Sequence, residues 1–143
     1  MESPRRLTPL SRDQCLRLVD TVRFGRIIFT ARALPRVRLV SHVRHGEQIV
    51  IPSSPDIGVT EQKTGTVVAY EADLIGPDQR PSWTVLVIGR ARRVAVGELL
   101  AGERERLSSW PGGAPDEVIM IAADLVTGER IPGGARLPAA AWS

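Results

Sequence analysis

Between Asp20 and Glu47 the chain carries six arginines, Arg23, Arg26, Arg32, Arg36, Arg38 and Arg44, and no acid. Guanidinium groups gathered without local counter-charge repel one another and are suited to grip a carboxylate or phosphate through paired N–H donors. The competing reading is a solvated basic face, because single-sign patches also form without a ligand. His42 and His45 fall in the same stretch. His42 either hydrogen-bonds a bound molecule and titrates near neutral pH, or is a rim histidine whose ring is satisfied internally. His45 falls in a turn. Two histidines and the single cysteine, Cys15, do not make a tetrahedral zinc set, so no metal site is expected. Neither a Ser-His-Asp order nor a motif of paired carboxylates points to hydrolysis.

The elements that must position these groups follow from hydrophobic periodicity. Ser11 is a helix N-cap with Gln14 three residues on, and the helix runs to about Thr21 with Cys15, Leu16 and Val19 on its apolar face. Cys15 there is a buried small hydrophobe rather than a nucleophile. The period then changes to two. Strands are expected at Phe24–Thr30, Arg36–Val43, Gln48–Ile51, Thr66–Ala72, Ser82–Val96 and Glu117–Ala122. Gly46 supplies a hairpin turn between the second and third, and the long Ser82–Val96 strand bends across two sides of a closed sheet. Ser53–Thr64 is polar with a short helix at its start, Glu98–Ser109 is a second helix, and Asp124–Ile131 continues the last strand irregularly. Trp110 is expected to plug the end of the second helix.

Six strands joined mainly by hairpins, with short peripheral helices, predict a mainly-β (α+β) antiparallel barrel. Its domain would span residues 11–131, between a flexible arm at 1–10 and a flexible tail at 132–143. The chain is 43% hydrophobic and 24% charged, a globular composition, with a net charge of +3. No apolar run approaches the roughly 18 residues of a membrane span, and no signal-peptide core follows the N-terminal arginines, so a cytoplasmic protein is expected. A lone cysteine fits a reducing compartment. Few aromatics stand on the basic strands, which argues against a nucleic-acid partner. Neither of the common glycine-rich phosphate loops occurs.

The order of several local strings resembles the pyridoxamine 5′-phosphate oxidase-like family of flavin-binding split barrels. The likeness runs from about Leu10 to Gly128. It rests on Gly25-Arg-Ile-Ile-Phe-Thr, Leu34-Pro-Arg-Val-Arg-Leu-Val-Ser-His-Val, Val68-Ala-Tyr-Glu-Ala-Asp, Ser82-Trp-Thr-Val-Leu-Val-Ile-Gly-Arg-Ala and Ile121-Ala-Ala-Asp-Leu-Val-Thr-Gly. The resemblance implies a homodimer with FMN in a groove between the subunits. It places Arg38 at the phosphate, Leu39, Val40, Ser41 and His42 along the ring, Ser53 as the hydroxyl residue ending the next strand, and Trp83 near the cofactor or as a core or dimer anchor.

Several features depart from the family's pattern, among them Pro52 where relatives carry an arginine and Ser41-His42 where they carry an asparagine and an aromatic. The loop Ser53-Ser-Pro-Asp-Ile-Gly-Val has Ile57-Gly58 where relatives carry a serine and a lysine, and Asp56 brings a negative charge to the phosphate side. Lys63 is a substitute cation further along. Two functions are therefore carried forward. One is a flavin-dependent oxidoreductase acting on a small molecule, in which the cofactor carries the redox chemistry and the protein needs few titrating groups. The other is a non-catalytic dimeric binder of a different ligand (a deazaflavin, haem or another anion) that has lost FMN.

Overall fold

The computed structural model describes residues 7–59, 65–76, 82–108 and 115–132. In chain order its elements are β1 (Thr8–Pro9), α1 (Arg12–Val19), β2 (Phe24–Ala31), β3 (Leu34–Ser41), β4 (Val43–His45), β5 (Gln48–Pro52), β6 (Thr66–Leu74), β7 (Ser82–Ala95), a 3₁₀ turn at Val96–Glu98, α2 (Ala101–Ser108), β8 (Glu117–Ala122) and β9 (Leu125–Ile131). The expected fold class holds: one antiparallel sheet in the order β3-β2-β6-β7-β8-β5-β4, with β9 pairing β7 and β1. β7 makes the barrel possible. Its first half pairs with β9, from Ser82 to Ile88, and its last residues pair with β8, from Ala91 to Ala95.

The described residues form nine strands, not six. The extra three have separate causes. Thr8 and Pro9 pair with Arg130 and Glu129, which ties down the end of the expected arm. Asp124–Ile131 was expected to be irregular, but Leu125–Ile131 is a continuous seven-residue strand on β7. The expected strand Arg36–Val43 breaks at His42, whose backbone N–H donates to the Arg23 carbonyl at 3.0 Å while its ring turns inward. The second helix is shorter than expected, because a 3₁₀ turn takes up Val96–Glu98. Residues 53–59 form a turn, with the Ile57 N–H donating to the Ser54 carbonyl at 3.0 Å, and no helix. Lys63, Trp110 and the tail beyond Pro132 lie outside the described residues.

Alternation along the strands builds the core. Ile27, Phe29, Val68, Tyr70, Val85, Val87, Ile49, Ile51, Ile119 and Ile121 fill the barrel interior. Each such side chain contributes about 1.5–3 kcal/mol of burial. α1 closes one end with Cys15, Leu16 and Val19, and its expected capping box is present, Ser11 Oγ accepting from Gln14 N–H and Gln14 Oε1 from Ser11 N–H. The helix lies so close to β9 that a Cβ at Gly128 would stand 2.5 Å from Cys15 Sγ, so only glycine fits there. Burial pushes the Cys15 thiol pKa up, which keeps it protonated and inert. A second cluster, Val43, Val50, Val94, Leu99, Leu107, Val118 and Met120, packs on the opposite face of β4, β5 and β8, under α2.

Candidate functional site

Three of the six arginines in the acid-free stretch meet acids from elsewhere in the chain. Arg26 reaches Glu71 at 3.4 Å and Asp73 at 3.3 Å, one strand over. Arg44 forms a two-point bridge to Asp20, Nε–Oδ1 at 2.9 Å and NH2–Oδ2 at 2.7 Å, linking β4 to the end of α1. That hydrogen bond raises the Arg44 pKa above its ordinary value. Arg38 pairs with Asp56 of the turn that follows β5. Ser54 Oγ donates to the same carboxylate, and this bond, helped by the Arg38 charge, holds the Asp56 pKa low. The predicted phosphate-side arginine thus meets the predicted loop, and Asp56 occupies its guanidinium.

β3 is an edge strand, and every residue from Leu34 to Leu39 is exposed. Arg38 stands opposite Ile27, so it lies on the face that Val40 continues into the core. Leu39, 56% exposed, is on the other face. Ser41 is buried, and its Oγ is a sealed side-chain oxygen with no hydrogen-bond partner among the described residues. Ser53 starts the turn, its N–H donating to the Glu117 carbonyl at 3.1 Å.

His42 is 6% exposed, and both ring nitrogens are occupied. Nε2 lies 2.8 Å from the Val19 carbonyl, which can only accept, so Nε2 carries the proton. Nδ1 is then an acceptor, and the Tyr70 hydroxyl donates to it. Burial lowers the His42 pKa and raises that of Tyr70, so both stay neutral. The pair stitches the end of α1 to the β3–β4 junction and to β6. Gly25 makes room for it, since a Cβ there would collide with the Tyr70 hydroxyl. Tyr70 escaped the sequence reading. Its signal was its place in the Val68-Ala-Tyr alternation, which puts it on the interior face.

Trp83 lies elsewhere. It begins β7, three strands across the sheet from β3, and lines a groove beside α1 rather than the Arg38 cluster. A further surface was not anticipated. Cross-strand register aligns Val37, Ile28, Ala69, Ile88 and Leu125 in one row over five strands, on the outer face of the barrel. Val37 is 58% exposed and Leu125 63%. Leu39 and Val67 extend the same face. No group of three or more His, Cys, Asp or Glu fit to hold a metal occurs among the described residues. Nor is any helix among them long and apolar enough to cross a membrane.

A barrel closed from one antiparallel sheet by a long strand that pairs on both sides, with a helix in its end and an arginine-bearing edge strand, defines the split-barrel class. Residues 11–130 match the family model for pyridoxamine 5′-phosphate oxidase, and the chain belongs to that family. It is 35% identical over 142 residues to the uncharacterized Mycobacterium tuberculosis protein Rv0080, covering 96% of this chain and 93% of that one. Among solved structures it is similar to a pyridoxamine 5′-phosphate oxidase-like protein of Corynebacterium glutamicum, with a TM-score of 0.72 and 19% identity over 95% of this chain and 99% of that one. It is also similar to an FAD-binding protein of Mesorhizobium loti, with a TM-score of 0.66 and 19% identity over 88% and 97% of the two chains. At these identities the two solved structures speak to the fold.

Proposed function

We propose that the protein is a cytoplasmic, homodimeric flavin-binding oxidoreductase, with FMN as the flavin, whose phosphate displaces Asp56 from Arg38. The observation that carries this reading is the Arg38–Asp56 pair itself, with side chains 53% and 43% exposed. An exposed ion pair contributes at most about 1 kcal/mol, so opening it is cheap. A phosphate dianion gains the guanidinium together with the hydroxyls of Ser53 and Ser54, and charge-assisted bonds of that kind contribute about 1.5–3 kcal/mol each. The residues therefore fit a phosphate, against a local competitor. His42, with both ring nitrogens and its backbone N–H engaged within the chain, supports the strand.

Bound flavin would supply two-electron redox chemistry toward a small-molecule substrate. The chain's own part is to bind the phosphate, lay β3 along the ring and exclude water. A second copy packed on the apolar row from Val37 to Leu125 would cover β3 and supply the far wall of the groove. An uncovered apolar band of this kind is the usual mark of a self-complementary two-fold interface.

FMN titration of the Arg38→Ala and Asp56→Asn variants provides the test. Arg38→Ala should weaken binding about 10- to 100-fold. Asp56→Asn, which removes the competitor and its repulsion, should tighten it by about tenfold. Equal affinity in all three proteins would remove Arg38 from the site. The second reading, a non-catalytic binder of a deazaflavin, haem or another anion, is favoured by Asp56 and by the absence of a cation at Ile57-Gly58. Purified protein that is colourless and takes up no FMN would select it.

A further inference from the structure

The flank of α1 beside the start of β7 carries a groove that the Arg38 cluster does not use. Gln14, Arg17, Leu18 and Thr21 stand at helical spacings of three and four, so they form one stripe along the end of the helix. Together with Leu10 and the start of β7, this stripe walls a groove of about 350 Å³. That is within the size range of small-molecule sites. Trp83, only 5% exposed, is part of the lining, and Arg130 flanks it as its cross-strand neighbour.

The polar atoms around this apolar groove are biased toward donors. Gln14 Oε1 already accepts the Ser11 N–H at 2.9 Å, so the side chain has its NH₂ to offer. Ser82 Oγ accepts the Gly76 N–H at 2.9 Å, which leaves its O–H free to donate. Among the described residues no acid lines the groove. Arg17 and Arg130, like Arg32, Arg36 and Arg92, form no ion pair or side-chain hydrogen bond among the described residues, but they are the two that line this groove. Two guanidinium groups without carboxylates beside an apolar trough are complementary to one chemistry: an apolar body with an anionic head.

We propose that the α1–β7 groove binds a small amphiphilic monocarboxylate, its hydrocarbon against Trp83, Leu10 and Leu18 and its carboxylate between Arg17 and Arg130. Within one chain this groove lies three strands from the Arg38 strand, and the variants below test it apart from the flavin reading.

Calorimetric titration of the full chain with decanoate, decanol and acetate tests the proposal. Saturable binding of one decanoate per chain is expected. Decanol, which lacks the charge, and acetate, which lacks the body, should each bind at least tenfold more weakly. Arg17→Gln and Arg130→Gln, both at exposed positions that leave the fold intact, should each weaken decanoate about tenfold, as expected for loss of one partly solvated charge-assisted bond. Arg38→Ala should leave decanoate unchanged, and the Arg17 and Arg130 variants should leave FMN unchanged. The proposal fails if decanoate shows no saturable binding, if decanol equals it, or if the two arginine variants bind it as tightly as the parent protein.

Discussion

The barrel has two outer faces made from one sheet, and they differ in what covers them. Beneath α2, β5 and β8 are apolar on both sides: Val118 and Met120 point to the helix while Ile119 and Ile121 point to the barrel interior, and all four are buried. Across β2, β6 and β7 the interior face is also apolar, but no helix among the described residues covers the outer row from Val37 to Leu125. Charged residues border that row, with Arg26, Glu71 and Asp73 on neighbouring positions. The helix that covers the first face is itself mostly polar. Leu107 inserts into the second cluster, and Glu103, 6% exposed, accepts from His45 Nδ1 at 2.9 Å and from the Leu100 N–H at 2.8 Å. One face thus solves its exposure within the chain. The other leaves an apolar band that a second copy can cover.

Substitutions at the two faces should therefore fail in different ways. Leu107→Ala removes a fully buried side chain and should cost about 2–5 kcal/mol in chemical denaturation. Leu125→Ala, at a position 63% exposed in one chain, should change the stability of the isolated subunit by less than about 0.5 kcal/mol. It should instead weaken self-association, and Val37→Asp should weaken it more, by about 100-fold or greater in sedimentation equilibrium. A Val37→Asp protein that sediments like its parent would mean that the bare face is not the interface, and the contrast between the faces would lose its functional meaning.

His42 sits at the seam, where β3 leaves the bare face and β4 enters the covered one. Because burial lowers its pKa below the ordinary value of 6.5, protonation favours the unfolded chain. Its contribution is whole above that value and is lost as pH falls below it. Denaturation midpoints should drop between pH 7 and pH 5, and His42→Gln should flatten this dependence. The same variant should cost about 1–3 kcal/mol at pH 7 by leaving Tyr70 or the Val19 carbonyl short of a partner. A parent protein with a flat profile over that range would show that the seam opens without charging His42.

These contrasts mark how far the sequence could be read. The Ser11–Gln14 cap, the Gly46 turn and the place of five of the six expected strands depend on neighbours in the chain, and they were legible. Gly46 does take φ +60°. The partners of the arginines were not legible, because Asp20, Asp56, Glu71 and Asp73 arrive from other elements and an acid-free stretch says nothing about them. The inward turn of His42 was hidden for the same reason, since Val19 and Tyr70 decide it. β9 looked irregular because its side chains are largely exposed or half-buried, and it is held by its ladder to β7 rather than by an apolar stripe. Arg38 meets Asp56 of the turn after β5, and Trp83 lines a groove beside α1 within the same chain.

The smallest effect lies at the tip of the bare region. The β2–β3 hairpin turns through Arg32 and Ala33, with φ of +53° and +63°, so two L-residues occupy the left-handed region. Each costs roughly 1 kcal/mol relative to a residue that tolerates it. Asn-Gly is the preferred pair for such a two-residue turn, although glycine also loses more freedom on folding, which offsets part of the gain. The double substitution Arg32→Asn, Ala33→Gly should therefore stabilise by about 1 kcal/mol, seen as a rise of a few degrees in melting temperature. If the melting temperature instead falls and self-association weakens with it, then Arg32 touches the second copy. The strained turn would then be retained for the interface, which would extend the covered area to the hairpin tip.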